Sequence, residues 1–401
     1  MIEDVVKYVI SNVYDIAKKE NRKQNESFKN NDKYIIFRKK NGDKFVTSAD
    51  TTFNLLFKKD TGFTCKWGRT FEEDPTHCPF GPEIADIEIT KSCFGPRNKD
   101  GVHTPCKFCY KSNSGCGEYM SFETFKNIFG KINQSRVLTQ IAFGVDAGCK
   151  TNPDVWKIFD YCIKNDVTPN VTVADIEDQQ TADNLMSRVG AIAVSFYPLT
   201  DKNRCYDTIK LLTDTKKKLK RDHVAVNIHA LVAEETYDYL FELMDDMKTD
   251  PRLVGNVNAI VFLSLKQKGR GIHFNRITDE QYKKLVDTGF EKHIPMGFDS
   301  CGANKFLKAI SDRPLDEKNR LESMTESCES TLFSSYFDVN GVFYPCSFME
   351  KEGDWKTGID VTKIKDFYKE VWHEPRVEKW REAAIKEIKK HGCNKCPYYN
   401  V

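Results

Sequence analysis

Residues 84–119 carry the sequence IADIEITKSCFGPRNKDGVHTPCKFCYKSNSGCGEY, which begins as an apolar strand and then breaks into a loop rich in glycine, proline and lysine. The loop holds Cys93, Cys106 and Cys109, spaced C-x12-C-x2-C. The helix pattern SFETFKNIFGKI follows, with Ser121 as its candidate N-cap and Glu123 in its first turn. The sequence therefore predicts three thiols on one loop, between the carboxyl end of a strand and the start of a helix.

Three thiols in this arrangement indicate a soft metal centre. Thiolates select zinc, copper(I) or iron–sulfur clusters. A structural zinc ion takes four protein ligands, commonly as two close pairs, whereas this loop offers one close pair and one distant cysteine. A [4Fe–4S] cluster with three ligated irons and one open iron explains the spacing best. A four-ligand zinc site that uses Cys116 or His103 of the same loop is the alternative.

The strand, the loop and the segment CKFCY at 106–110 resemble the cluster motif of the radical S-adenosylmethionine (SAM) enzymes. That motif is usually C-x3-C-x2-C with an aromatic residue before the last cysteine, the place that Phe108 takes here. The longer first gap of this chain extends the loop. The resemblance implies that the open iron binds the amino and carboxylate groups of SAM, and that an electron from the cluster splits SAM into methionine and a 5′-deoxyadenosyl radical. The protein would hold SAM and substrate and exclude water from the radical.

Composition excludes several other classes of protein. A chain of 401 residues predicts two to three domains. The formal charge of +2 gives no basic bias of the kind that nucleic-acid binding needs, and no run is apolar and long enough to span a bilayer. The 14 cysteines are too few for a disulfide scaffold. Their C-x2-C pairs, without a secretory signal pattern, predict metal ligation in a reducing, cytoplasmic compartment.

The first part of the chain is predicted as an N-terminal extension over 1–83. Residues 1–24 have the pattern of one amphipathic helix, and YIIFRKKNGDKFVTS predicts a β-hairpin with Asn41-Gly42 at its turn. Residues 51–83 hold further short strand patterns. The extension does not match the winged-helix module with which peptide-modifying relatives bind a leader peptide.

Residues 84 to about 290 alternate between strand and helix patterns, which predicts an α/β fold with a parallel sheet and helices outside it. The predicted strands are 84–89, 136–143, 167–174, 190–197, 223–232 and 256–265, and the predicted helices are 121–133, 153–164, 178–188, 203–220, 235–248 and 279–288. Periodicity alone does not separate an open doubly wound sheet from a barrel. The resemblance implies a partial (β/α)6 TIM-like barrel over 84–295, with its chemistry at the carboxyl ends of the strands.

The resemblance also assigns eight cofactor-binding residues: Phe108, Tyr110, Gly144, Val145, Asp146, Ser195, Arg204 and Asn227. Phe108 and Tyr110 would pack by the adenine. The segment Gly144-Val145-Asp146 stands where the family has G-G-E, whose backbone carbonyls bind the amino group of SAM. A simple glycine turn is the alternative for this segment.

Three further polar residues follow or lie on predicted strands. Ser195 would reach the ribose of SAM, and Arg204 would pair with its carboxylate in a bidentate manner. Asn227 alternates to the same face as His229 on a strand that is otherwise apolar, so this pair needs partners. A solvated helix start is the alternative for Arg204, and a satisfied core histidine is the alternative for His229.

The last hundred residues, 296–401, hold five cysteines: Cys301, Cys328, Cys346, Cys393 and Cys396. Cys328 and Cys346 belong to a C-x12-G-x4-C pattern with a hairpin turn at Asn340-Gly341, and a long helix leads to the final C-x2-C pair. This order resembles the SPASM and Twitch auxiliary-cluster domains of radical SAM enzymes, in the shorter Twitch form. The resemblance implies that Cys328, Cys346, Cys393 and Cys396 hold one auxiliary [4Fe–4S] cluster. Cys301 would be a buried thiol or a replacement ligand, and a zinc ribbon is the alternative.

Together these patterns predict an oxidoreductase or peptide-modifying maturase that cleaves SAM reductively and abstracts a hydrogen atom from a substrate carbon. A peptide or protein substrate, oxidised or crosslinked, is favoured, with flavodoxin or ferredoxin as electron donor. Modification of a nucleoside or nucleic acid, or dehydrogenation of a small alcohol, is the enzymatic alternative. A zinc or iron–sulfur scaffold protein is the alternative without catalysis. The sequence does not identify a catalytic base, although Asp146 and Asp299 are candidates near strand ends.

Overall fold

The computed structural model describes residues 34–38, 43–48, 50–391, 396, 398 and 399, with the backbone alone at 34–38 and 391. The predicted helix at 1–24, the turn at Asn41-Gly42 and the predicted ligand Cys393 lie outside the described residues. By its internal contacts the chain divides into two compact units, 1–79 and 80–401.

The first unit contains a four-stranded antiparallel sheet in the order β1-β2-β3-β4. Its strands are β1 (Tyr34–Arg38), β2 (Lys44–Ser48), β3 (Asn54–Phe57) and β4 (Thr64–Trp67). Tyr34 pairs with Ser48 and Arg38 with Lys44, so the predicted hairpin is confirmed. The Phe45 and Trp67 rings stack with centroids 5.9 Å apart, which gives this small sheet its own apolar contact.

The second unit is built on six parallel strands that lie within a few residues of their predicted positions. They are β5 (Ile84–Glu88), β6 (Gln140–Gly144), β7 (Thr168–Val173), β8 (Ala191–Phe196), β9 (Ala225–Val232) and β10 (Ala259–Ser264). The helices after them are α1 (Phe122–Ile132), α2 (Val155–Lys164), α3 (Gln179–Met186), α4 (Lys202–Lys218), α5 (Tyr237–Thr249) and α6 (Asp279–Glu291). Each strand pairs in parallel with the next one in the chain, so the predicted α/β alternation is confirmed.

Alternating burial fixes which side of each strand meets the helices. Ala85 and Ile87 of β5 lie in one hydrophobic core with Phe125 and Ile128 of α1. The predicted cap of α1 is present, because the Ser121 hydroxyl accepts a hydrogen bond of 3.1 Å from the backbone N–H of Thr124. The other face of the sheet is left for polar side chains and for a ligand.

The remaining chain extends this sheet at both edges. Its elements are β11 (Met296–Phe298), α7 (Ala303–Ala309), α8 (Leu315–Ser323), β12 (Ser334–Phe337), β13 (Val342–Tyr344), β14 (Ile359–Asp360) and α9 (Pro375–His391). The ten strands follow the order β11-β10-β9-β8-β7-β6-β5-β12-β13-β14. Since β12 pairs in parallel with β5, the predicted C-terminal hairpin lies directly beside the strand that precedes the cysteine loop. Within the described chain, no helix combines the length and the apolar character needed to cross a bilayer.

Candidate active site

One cavity of about 1130 Å³ occupies the inner face of the sheet. Its wall includes a residue from each of the six parallel strands: Asp86, Ala142, Thr172, Ser195, His229 and Leu263. Six neighbouring strands can line one cavity only if the sheet curves around it, which is the geometry of a partial barrel and not of a flat doubly wound sheet. The volume lies just above the roughly 300–1,000 Å³ of a typical small-molecule pocket.

Cys93, Cys106 and Cys109 all line this cavity. The loop that carries them folds back on itself, since the Cys93 N–H donates to the Ser114 carbonyl over 2.6 Å and the Cys109 N–H to the Cys106 carbonyl over 3.3 Å. Gly95 sits in the loop at φ +74°, where a Cβ atom would collide with the Thr104 carbonyl. The structure thus brings together the three thiols that the sequence separates by a long gap.

The electrostatics of these thiols suit ligands of an iron cluster. Burial raises the pKa of Cys106 to about 12 and also raises that of Cys93, and the nearby Cys109 thiol adds to both shifts. Buried thiols stay protonated until a cationic centre compensates their charge. The described residues contain no group of three metal-binding side chains close enough for a single ion. A cubane does not need such a group, because it binds each thiolate through a different iron.

Aromatic side chains line the wall beside the thiols. Phe108 packs against Tyr197, with centroids 5.3 Å apart, and against Phe274 at 5.5 Å. Tyr110 instead contacts Phe348, at 4.4 Å, on the side of the C-terminal hairpin. The two aromatic residues predicted to lie by the adenine therefore point to different parts of the cavity.

The other predicted cofactor residues divide into two groups. Gly144, Val145, Asp146 and Ser195 line the cavity, whereas Arg204 and Asn227 are absent from its described wall. The Asp146 carboxylate accepts hydrogen bonds from the backbone N–H groups of residues 148, 150 and 151, so it holds its own loop. Arg204 donates to the Asn98 carbonyl over 3.1 Å. Its predicted pairing with a ligand carboxylate stays a prediction.

A second set of thiols lines the same cavity. It consists of Cys301, Cys328, Cys346 and Cys396. Burial raises the pKa of Cys301 to about 12, and among the further causes are Cys346 and Cys396, so these thiols are neighbours. Burial and the nearby Cys301 likewise raise the pKa of Cys328. Cys301, the cysteine without a clear place in the sequence pattern, thus lies among the predicted auxiliary ligands.

Sequence analysis missed a buried network of charges between the two sets of thiols. The Lys111 ammonium pairs with the carboxylates of Glu350 and, at 3.5 Å, Glu88, and it also donates to the Tyr336 hydroxyl. Burial alone would favour the protonated form of Glu350, but the Lys111 ammonium holds the pKa of this carboxyl below its usual value. A second buried pair joins Lys266 to Asp299. The sequence did carry a signal of this network, because Asp86 and Glu88 stand at alternate positions of the apolar strand IADIEIT. A buried charge in such a strand needs a partner.

The buried His229 imidazole predicts that the free energy of unfolding depends on pH. Burial lowers its pKa to about 4, with Asp299 opposing the shift in part, so the ring is neutral in the folded protein near pH 6. The unfolded chain takes up that proton below about pH 6.5. We therefore expect the free energy of unfolding to fall as the pH drops from about 6.5 to 4. Urea titrations of the metal-free protein should show a shallower fall for His229→Gln, and an equal fall would contradict the assignment.

Comparison with known proteins identifies the fold. No family profile and no curated protein matches the chain. Among solved structures it is similar to Streptococcus suis SuiB bound to S-adenosylmethionine, with a TM-score of 0.56 and 15% identity over 79% of this chain and 71% of SuiB. For SuiB bound to the precursor peptide SuiA, the TM-score is 0.57 and the identity 13%, over 75% of this chain and 67% of SuiB. For the anSMEcpe protein with bound AdoMet, the TM-score is 0.50 and the identity 15%, over 79% of this chain and 84% of anSMEcpe. These are radical SAM enzymes, and the chain has their fold.

Proposed function

We propose that this chain is a radical SAM enzyme with two iron–sulfur clusters, which abstracts a hydrogen atom from a carbon of a peptide substrate. The observation that carries the proposal is the single cavity with Cys93, Cys106 and Cys109 on one part of its wall and a second set of four thiols on another. When bound, the first cluster and SAM supply a 5′-deoxyadenosyl radical.

The residues of the chain have separate tasks in this proposal. Cys93, Cys106 and Cys109 hold the SAM-cleaving cluster, and Phe108 with Tyr197 offers an apolar surface to the adenine. The six strands surround the reaction space and keep water from the radical. The second set of thiols holds a cluster with no open iron, which suits electron transfer or the shaping of the substrate site.

A peptide is the favoured substrate for two reasons. The cavity is larger than a typical small-molecule pocket, and its wall includes exposed residues of α9 such as Lys379, which would give an extended chain a way in. Among the similar structures, one of SuiB contains a precursor peptide and one of anSMEcpe contains a peptide together with AdoMet. Those ligands belong to those proteins, and they make a peptide the first substrate class to test here.

Anaerobic reconstitution tests the proposal directly. The protein should be brown and hold about eight irons per chain, from two [4Fe–4S] clusters. It should release 5′-deoxyadenosine when SAM and a strong reductant are added. A colourless protein with stoichiometric zinc would favour the scaffold alternative, and strongly salt-dependent binding to RNA would favour the nucleic-acid alternative.

The position of Cys301 leads to a separate prediction. Because its thiol lies with those of Cys328, Cys346 and Cys396, we expect Cys301→Ala to lose the second cluster and to lower the iron content from about eight to about four per chain. The electron paramagnetic resonance signal of the first cluster should remain. Cys205→Ala, which changes a thiol buried elsewhere in the core, is the matched control. An unchanged iron content in Cys301→Ala would leave the fourth ligand position to Cys393.

A further inference from the structure

The buried wall of the cavity carries three cations: Lys111, Lys266 and Arg270. Lys111 pairs with Glu88 and Glu350, and Lys266 pairs with Asp299. Arg270 donates to the backbone carbonyls of Cys106 and Asn113. Each of these cations is therefore engaged within the protein. Two further cations on the wall, Arg376 and Lys379 of α9, belong to its more exposed part.

Asp86 is an acid on the inner part of this wall for which the described residues provide no such partner. It lies in the middle of β5, in register with Tyr336 of β12 and Ala142 of β6. Its carboxyl lines the cavity, and no side chain or N–H group of the described residues forms a hydrogen bond or salt bridge with it. Its charged neighbour is a second carboxyl, that of Glu329. Burial and Glu329 together raise the pKa of Asp86 to about 7. No described residue therefore compensates an ionised Asp86, and a cationic ligand would do so.

The position of Asp86 is where a substrate would lie. It is near enough to influence the pKa of Tyr110, which follows Cys109, and that of Cys346 in the second set of thiols. A molecule that touches Asp86 is therefore close to the segment that carries the first set of thiols and to Cys346 of the second set. The neighbouring Glu329 carboxyl lines the same cavity and adds negative potential there.

We infer that Asp86 binds a cationic group of the substrate, an ammonium or a guanidinium, within the barrel. The inference rests on the proposed function and narrows its substrate class to molecules with such a group, which in a peptide means a lysine or arginine side chain. A charge-assisted hydrogen bond from that group would satisfy a wall carboxyl that the described residues leave without a partner. It would also fix the distance between the bound group and the two sets of thiols.

Binding of small probes tests this without a known substrate. Saturation-transfer NMR on the anaerobically reconstituted protein with SAM would compare n-butylammonium and n-butylguanidinium with 1-butanol, a neutral molecule of similar shape. We expect the wild-type protein to bind a cation about tenfold or more tightly than the alcohol. Asp86→Asn should lose that preference and Asp86→Glu should keep it. Asp354→Asn changes an exposed carboxylate on the same cavity wall and should behave as wild type.

Two results would overturn the inference. One is a wild-type protein that binds the cations no more tightly than butanol. The other is a preference that survives in Asp86→Asn or, should the amide variant not fold, in Asp86→Ser. The same wild-type sample is assayed for 5′-deoxyadenosine. Absence of that product counts against the proposed function, whereas the probe affinities concern Asp86 alone, so the two failures are distinguishable.

Discussion

Replacement of Cys93, Cys106 and Cys109 together by alanine is expected to abolish the release of 5′-deoxyadenosine and to lower the iron content from about eight to about four per chain. The three thiols line one part of the cavity wall, and the second set of thiols lies elsewhere on it. Removal of the first set therefore leaves the second cluster with its ligands. Iron analysis and anaerobic product assays with SAM and a strong reductant measure the two effects separately.

The control for this variant lies in the same loop. Cys116 is exposed and does not line the cavity, so Cys116→Ala should keep both the iron and the SAM cleavage. Retained cleavage in the triple variant would mean that other thiols bind the SAM-cleaving cluster. Loss of metal in Cys116→Ala, with zinc in the wild-type protein, would instead support the four-ligand zinc alternative.

Local patterns in the sequence were sufficient for the barrel strands and for their order. A run such as GAIAVSFY is apolar, is bounded by helix patterns and pairs with its neighbour in the chain, so sequence order and spatial order agree. The same local information located the cysteine loop, because the loop directly follows β5. The short helices α7 and α8 were not predicted, since their patterns are brief; α8 buries none of its side chains.

Contacts between distant parts of the chain could not be predicted in this way. The pairing of Asp86 with Tyr336 joins β5 to β12 across some 250 residues, and no periodicity encodes it. That no described residue is a partner of the Asp86 carboxyl is likewise visible only in the folded structure. Arg204 shows that residue type alone does not identify a binding partner. An arginine suits a carboxylate ligand, but in the fold one of its N–H groups donates to the Asn98 carbonyl.

The Lys111 network gives the largest expected effect on stability. Lys111 is nearly buried and lies between the carboxylates of Glu88 and Glu350, whose side chains are only 5% and 8% exposed. Lys111→Met keeps the length of the side chain but leaves buried Glu88 without its cation and Glu350 with Lys91 alone, at 3.7 Å. Breaking a buried ion pair in this way costs about 3–5 kcal/mol. We expect a loss of that size in the free energy of unfolding, measured by urea titration of the metal-free protein near neutral pH.

Two further variants separate charge from packing. Lys126→Met removes an exposed cation that pairs with Glu123, and should change the free energy of unfolding by about 0.5 kcal/mol or less. Adding Glu88→Gln and Glu350→Gln to Lys111→Met removes the two buried acids and should recover most of the loss, because a neutral core can replace a buried ion pair at little cost. A loss that persists in this combined variant would assign the effect to packing. Recovery would show that charge balance joins the cysteine loop, through Lys111, to the hairpin that carries Cys346.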